Sequence, residues 1–473
     1  MVDQGSGQLS ISFLLISPIS VSCQPKTYHM RYLLLLLLCF CFAISSAQVS
    51  AGDILPMRER AEWIDDMLEY RLDSLLPELM DRAKLDMWIL ISREYNEDPV
   101  MKTMLPSEWL SARRRTILVF YKPQEGDLEK IAIARYSVGR LLKGEWNIDV
   151  FPDQWEALVN YIKEKNPEKI GMNFSEDFGL ADGLVSTEHK SFLKNLPIEY
   201  HDRVVSGEDL AIGWLETRSK VELEMYPHIC KIGHDILQEA FSADVIKPGV
   251  TATVDVVWWL RQRVRELGLT TWFHPTVGIQ RENAEKFDHL RSFSKRPKEQ
   301  IIQYGDLLHV DFGVSYLRLN TDQQQHFYVL HPEESEAPDY LKKAFKVSNR
   351  VQDILVESFG TGKTGNQILK DALAQAESEG IVASIYTHPI GFHGHAAGPT
   401  IGMWDNQKGT PGRGDYSLYY NTAYSIELNS SSEIKEWGKI IRIMLEEDGV
   451  HTPDGFYFLD GRQEELTTIP RSR

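Results

Sequence analysis

Cysteine is scarce in this 473-residue chain: there are four, and Cys23, Cys39 and Cys41 fall at the very start. Past them Cys230 stands alone, so no internal disulfide can staple the remainder, and its stability must come from an ordinary core. Positive charge is also short. Lys and Arg number 51 against 68 Asp and Glu, a formal charge of −17, which excludes a protein built to neutralise phosphate backbones. The run Arg113–Arg115 is isolated and reads as a solvated face. No glycine-rich phosphate loop occurs, and no long membrane-spanning run. The longest apolar run, YLLLLLLCFCFAI after Met30-Arg31, has about 13 residues and ends in Ser45-Ser46-Ala47. That is the layout of a signal peptide cleaved after Ala47, with a membrane anchor as the alternative. It predicts a secreted or periplasmic protein with no stable membrane anchor.

What is present is an α/β pattern in a chain long enough for two or three domains with full cores. A helical stretch over Asp53–Lys84 precedes short apolar runs at DMWILIS, RTILVFY, KIAIARY and KIGMNFS. Helical patterns at Trp155–Lys165 and Leu180–Leu193 lie among them, as expected of a covered sheet. The pattern changes over Ala211–Lys220, which divides the chain into a leading segment (1–47), an N-terminal domain (48–212) and a C-terminal domain (213–473). Helices follow over Val221–Ser242 and Thr253–Leu267, the second with Trp258, Trp259 and Leu260 as core. Two more are expected over Ala337–Phe359 and Asn366–Gly380.

The chemistry gathers in the second half. Leu307–Asp322 and the following HFYVL read as a β-hairpin carrying Asp311 and Asp322, 11 residues apart. A bare carboxylate in an apolar strand costs several kcal/mol unless it has a partner, and a divalent cation could serve two at once. The alternative is that both face water from a turn. THPIGFHGHAAGP supplies His388, His393 and His395, AYSIELN supplies Glu427, and IIRIMLEEDGVHT supplies Glu446 and Glu447. Each acidic residue taken singly suits a strand end at the surface, and His274 in TWFHPTVG suits a loop. Five metal-ligand types in the order Asp, Asp, His, Glu, Glu are a far rarer coincidence.

These segments resemble the pita-bread metallopeptidases: methionine aminopeptidase, aminopeptidase P, prolidase and the metal-free relative creatinase. Asp311 and Asp322 keep the family's spacing, THPIG stands in the place of its GHGIG, and LEEDGVHT is similar to its last-ligand segment. The resemblance implies a creatinase-type N-terminal α/β domain before a pita-bread catalytic domain. It implies Asp311, Asp322, His388, Glu427 and Glu447 as metal ligands, with Glu446 as the alternative to Glu447. His274, His395 and Glu427 become catalytic groups. Such an oxygen-rich donor set suits two divalent ions, Mn²⁺ first, with Zn²⁺, Co²⁺ or Fe²⁺ as alternatives. The implied activity is a metallo-aminopeptidase or dipeptidase that cuts short peptides, Xaa-Pro included, with a metal-bridged hydroxide, and assembles as a homodimer. A creatinase-like C–N hydrolase and a catalytically silent relative are the competing readings. Several positions depart from the relatives that cut before proline. Ser384 replaces a histidine, Leu445 an arginine, Leu428-Asn429 a Pro-Gly pair, and Pro389 a glycine.

Overall fold

Strands rich in β-branched and aromatic residues form where the apolar runs predict them. The computed structural model describes residues 53–282 and 300–470. The segment 1–47 and its three cysteines lie outside the described residues, which make one compact unit. Six strands, β1 (Met87–Arg93), β2 (Arg115–Tyr121), β3 (Glu129–Ala132), β4 (Lys143–Gly144), β5 (Ile170–Met172) and β6 (Val204–Ser206), make one mixed sheet ordered β4-β3-β2-β1-β5-β6. Period-2 alternation divides the apolar side chains of β1 and β2 between two cores. Trp88, Leu90, Leu118 and Phe120 pack with the helices Leu76–Ala83 and Glu208–Glu216. Ile89, Ile91, Ile117 and Val119 pack with Gln154–Lys165 and Ser186–Asn195. Burial on both faces explains the unbroken apolar runs.

The predicted helix over Leu180–Leu193 is instead a 3₁₀ turn, Gly179–Ala181, followed by the helix Ser186–Asn195. The predicted break at 212/213 falls within the helix Glu208–Glu216, and the chain turns at Thr217–Ser219 before the helix Lys220–Ala240. Ser219 and Glu222 form a capping box that starts that helix. Trp258 is not core: it is 59% exposed. Successive helix residues are about 100° apart, so Leu260 and Val256 take the inner face while Trp258 turns outward.

The remaining strands surround the acidic residues. β7 (Thr276–Gln280), β8 (Leu307–Phe312), β11 (Gln323–Val329) and β19 (Thr467–Ile469) form a sheet in the order β19-β11-β8-β7. β9 (Ser315–Tyr316) and β10 (Leu319–Asn320) form the tip of the β8–β11 hairpin. β12 (Val382–Ile385), β15 (Leu428–Ile434) and β16 (Lys439–Leu445) form a second sheet. β13 (His388–Pro389), β14 (Thr422–Ser425), β17 (Asp448–Thr452) and β18 (Gly455–Phe458) form a third. The helices Lys220–Ala240, Thr253–Glu266, Asp339–Ser358 and Gly365–Ser378 complete this half. Among the described residues no helix is long and apolar enough to cross a membrane.

One buried ion network ties the leading helices to this half. The run from Met57 to Ala83 passes through a π turn at Arg71–Leu75. There Arg71 Nη1 donates to Thr217 O at 2.8 Å and to Glu222 Oε2 at 2.5 Å. Arg218 Nη1 donates to the other Glu222 oxygen at 2.7 Å, and all three side chains are fully buried. Burial opposes ionisation of Glu222, but the two guanidinium groups outweigh it and hold its carboxyl below the usual range. Replacing Glu222 with Gln leaves two buried cations without their counter-charge. The expected loss is about 3–5 kcal/mol of unfolding free energy, read by urea denaturation of the folded protein.

Candidate metal centre

The β8–β11 hairpin determines which side chains meet. Asp311 pairs directly with Gln324 in its register, so the two point to the same face. Alternation puts Asp322 and His309 on that face as well. His388 opens β13, at the edge where the Gly- and Pro-rich loop begins. Glu427 and Glu446 occupy the joints at which the chain leaves one sheet for another, between β14 and β15 and between β16 and β17. At these joints the long ladders of the sheets stop, and the Glu446 backbone pairs instead with Gln324 of β11.

Six side chains gather there. Ligand atoms of Asp311, Asp322 and Glu446 lie within 4.8 Å of one another, and so do those of His388, Glu427 and Glu446. Asp322, His388 and His395 form a third such group. His388 Nε2 stands 3.7 Å from Asp322 Oδ2 and 3.6 Å from Glu446 Oε1. Its Nδ1 is 3.0 Å from the Pro389 carbonyl, which can only accept, so the proton sits on Nδ1 and the Nε2 lone pair faces the carboxylates. His388 Nε2 and Asp322 Oδ1 are buried and have no hydrogen-bond partner among the described residues. Burial raises Asp311, Asp322 and Glu427 well above the usual carboxylate range, and the neighbouring Glu446 charge adds to each shift.

Glu447, the ligand implied by the resemblance, is not in this cluster. Its carboxylate meets His234 Nε2 at 2.6 Å and Gln325 Nε2 at 3.1 Å. Adjacent residues of an extended chain face opposite ways, so Glu446 and Glu447 cannot both enter the site. The antiparallel bridge between Gln324 and Glu446 decides it: Gln324 and Glu446 share the inner face, while Gln325 and Glu447 share the outer one. The same parity corrects the neighbouring position. Two residues before the inward glutamate stands Met444, not Leu445, which packs in a separate core with Leu307 and Phe345. Neither residue is the arginine of the proline-cutting relatives.

The other predicted groups divide. His395 is brought to the site, edge-on to the His388 ring with centroids 4.6 Å apart. One side of its ring is exposed, and partial burial, with His388 adding to it, lowers its pKa to about 4. His274 precedes β7 and is engaged by Arg261 at 3.0 Å and by the edge of Trp258. It belongs to none of the close groups of ligand atoms. His393 points elsewhere, with its Nε2 buried and unpartnered.

Sequence reasoning missed three contributors. Trp272 stands against His395 with ring centroids 5.1 Å apart and donates to Thr321 O at 2.9 Å. A Cβ on Gly394 would come within 2.3 Å of that indole, so the close approach requires glycine. Gln324 reaches two of the carboxylates. Arg413 lies close enough for its charge to act on both Tyr386 and His395. Trp272 was signalled by its place two residues before His274; the other two carry no local signal.

Residues 224–452 match the family model for metallopeptidase family M24. No curated protein matches the sequence. Among solved structures, an X-Pro aminopeptidase from Thermotoga maritima is similar at TM-score 0.58 and 15% identity, over 83% of this chain and 100% of that one. An Xaa-Pro dipeptidase from Bacillus anthracis is similar at TM-score 0.57 and 17% identity, over 88% and 100%. The N-terminal domain of FACT complex subunit SPT16 from Cicer arietinum (chickpea) is similar at TM-score 0.54 and 13% identity, over 85% and 99%. Identities this low carry the fold alone, whereas the family model acts on the sequence itself. Residues 224–452 carry the sequence pattern of metallopeptidase family M24, that of a peptide hydrolase.

Proposed function

We propose that this protein is an exopeptidase that shortens small peptides from the N-terminus, with two divalent ions held by Asp311, Asp322, His388, Glu427 and Glu446. The observation that carries it is the pair of stranded lone pairs, His388 Nε2 and Asp322 Oδ1, inside a group of carboxylates that is buried or half-buried throughout. Four carboxylates this close are strongly unfavourable without cations, and an imidazole with its lone pair aimed at them is a ligand's arrangement. Oxygen donors predominate and no thiolate is present, which suits Mn²⁺ first and Zn²⁺, Co²⁺ or Fe²⁺ after it. When bound, such ions supply Lewis acidity and lower the pKa of water toward neutrality.

The chain's own groups supply the rest. Glu427 accepts a proton from the attacking water and passes it to the leaving amine. His395, neutral by virtue of its lowered pKa, presents an imidazole beside the scissile carbonyl. Trp272 and Tyr386 flank His395 and keep bulk water from that side. Arg413 brings a positive charge to the mouth of an otherwise acidic site, suited to a substrate carboxylate and therefore to very short peptides. Ser384 and Met444 leave the proline-reading positions of the relatives unfilled, which favours a broader choice than Xaa-Pro.

Three outcomes test the reading. Glu446→Gln is expected to lose bound Mn²⁺ and peptide hydrolysis together, while Glu447→Gln keeps its metal; plasma emission analysis of the two purified variants decides between them. Chelation should abolish hydrolysis and Mn²⁺ should restore it, and unchanged turnover in a thoroughly chelated sample would end the assignment. Arg413→Ala should raise KM for a dipeptide about tenfold, the scale of one charged contact, while a C-terminally amidated analogue is unaffected.

A further inference from the structure

Gln324 sits among the carboxylates, 5% exposed, on the strand face it shares with Asp311 and Asp322. Its Nε2 donates to Glu427 Oε1 at 2.8 Å and to Glu446 Oε2 at 2.5 Å. These are two acidic side chains that arrive from different sheet joints, and the one amide touches both. Its Oε1 faces His309 Nε2 at 2.8 Å, and His309 lies on the same face of β8 two residues before Asp311. The two carboxylates require the donor end of the amide, which leaves its oxygen for His309, and His309 then carries its proton on Nε2. Turned over, the amide would set an oxygen against two anions. The backbone adds to the arrangement: Gln324 N donates to Glu446 O at 2.9 Å and Glu446 N to Gln324 O at 3.2 Å, so the side chain starts from a fixed point.

From this geometry we infer that Gln324 is the positioning residue of the metal cage, holding Glu427 and Glu446 at ligand spacing before any cation arrives, with His309 acting through it. The inference rests on the proposed metal centre and extends it to the chain's own preorganisation. Each carboxylate oxygen has two acceptor directions, so the hydrogen bond from Gln324 leaves room for a cation on the other. Without the amide Ser425 would still donate to Glu446, but nothing would tie that carboxylate to Glu427, and a cation would have to order the pair as it binds. A preformed site avoids that cost. Partners that orient metal ligands typically change metal affinity by about 10–100-fold.

The test is calorimetric titration of metal-stripped protein with Mn²⁺. Gln324→Leu, close in volume but without donors, should bind at least about tenfold more weakly. His309→Ala should weaken binding in the same direction by a smaller factor. The double variant should match Gln324→Leu alone, because a residue that acts only through Gln324 has nothing left to do once Gln324 is gone. A merely structural role for His309 would instead add its full effect in the double variant, and that result overturns the inference, as does wild-type affinity in Gln324→Leu. Should Gln324→Leu fail to fold, unchanged Mn²⁺ affinity in His309→Ala overturns it alone. If the unaltered protein takes up no Mn²⁺, the metal centre itself falls and the inference with it; normal uptake by protein and variants alike removes only the inference.

Discussion

Four carboxylates converging on one point, two of them buried and two half-buried, are the constraint from which the rest of this structure follows. Asp311, Asp322, Glu427 and Glu446 come from separate strands, turns and strand joints, and burial together with the neighbouring charges drives three of them toward protonation. Like charges at this spacing in a poorly solvated site are tolerable only when neutralised. The surroundings supply some polarity, with Ser425 donating to Glu446 at 2.6 Å and Gln324 to both glutamates. These donors spread charge without cancelling it. The stranded lone pairs of Asp322 and His388 point to the cation that would.

Strand parity converts this constraint into an architecture. Because β11 and the Glu446 joint are bridged at Gln324, inner and outer faces alternate down both segments. Gln324 and Glu446 meet inside; Gln325 and Glu447 meet outside, where Glu447 pairs with His234, itself 2.8 Å from Asp460. One face gathers ligands and the other forms an ordinary buried ion network. A slip of one residue would exchange the two sets, so the backbone bridge does as much for the site as any ligand.

The site also depends on elements distant in sequence. Arg71, in the π turn of the leading helices, reaches Glu222 at the start of the helix Lys220–Ala240. The Phe392 ring lies 4.9 Å from the Arg71 guanidinium and 4.7 Å from that of Arg218. Phe392 belongs to the loop that carries His388 and His395, so this network braces the loop from behind. Trp272 braces it from the front, lying against Gly394.

The elements of the fold were legible because burial repeats with the period of the element. RTILVFY became β2 without alteration, and the hairpin of Asp311 and Asp322 formed in the expected place. The order of ligand types, through the family resemblance it carries, pointed to metallopeptidase chemistry, since Asp, Asp, His and Glu at strand ends are costly residues that need a reason to be buried. Which of two adjacent glutamates turns inward was beyond the sequence, because it depends on the pairing of Gln324 with a segment 122 residues away. The same holds for Trp258, whose neighbours suggested a core face, and for Gln324 and Arg413, which look like surface residues until the strands and loops that surround them are in place. Residue type and order are local properties of a chain; the face a side chain takes, and the charges it meets there, are set only when distant backbone pairs.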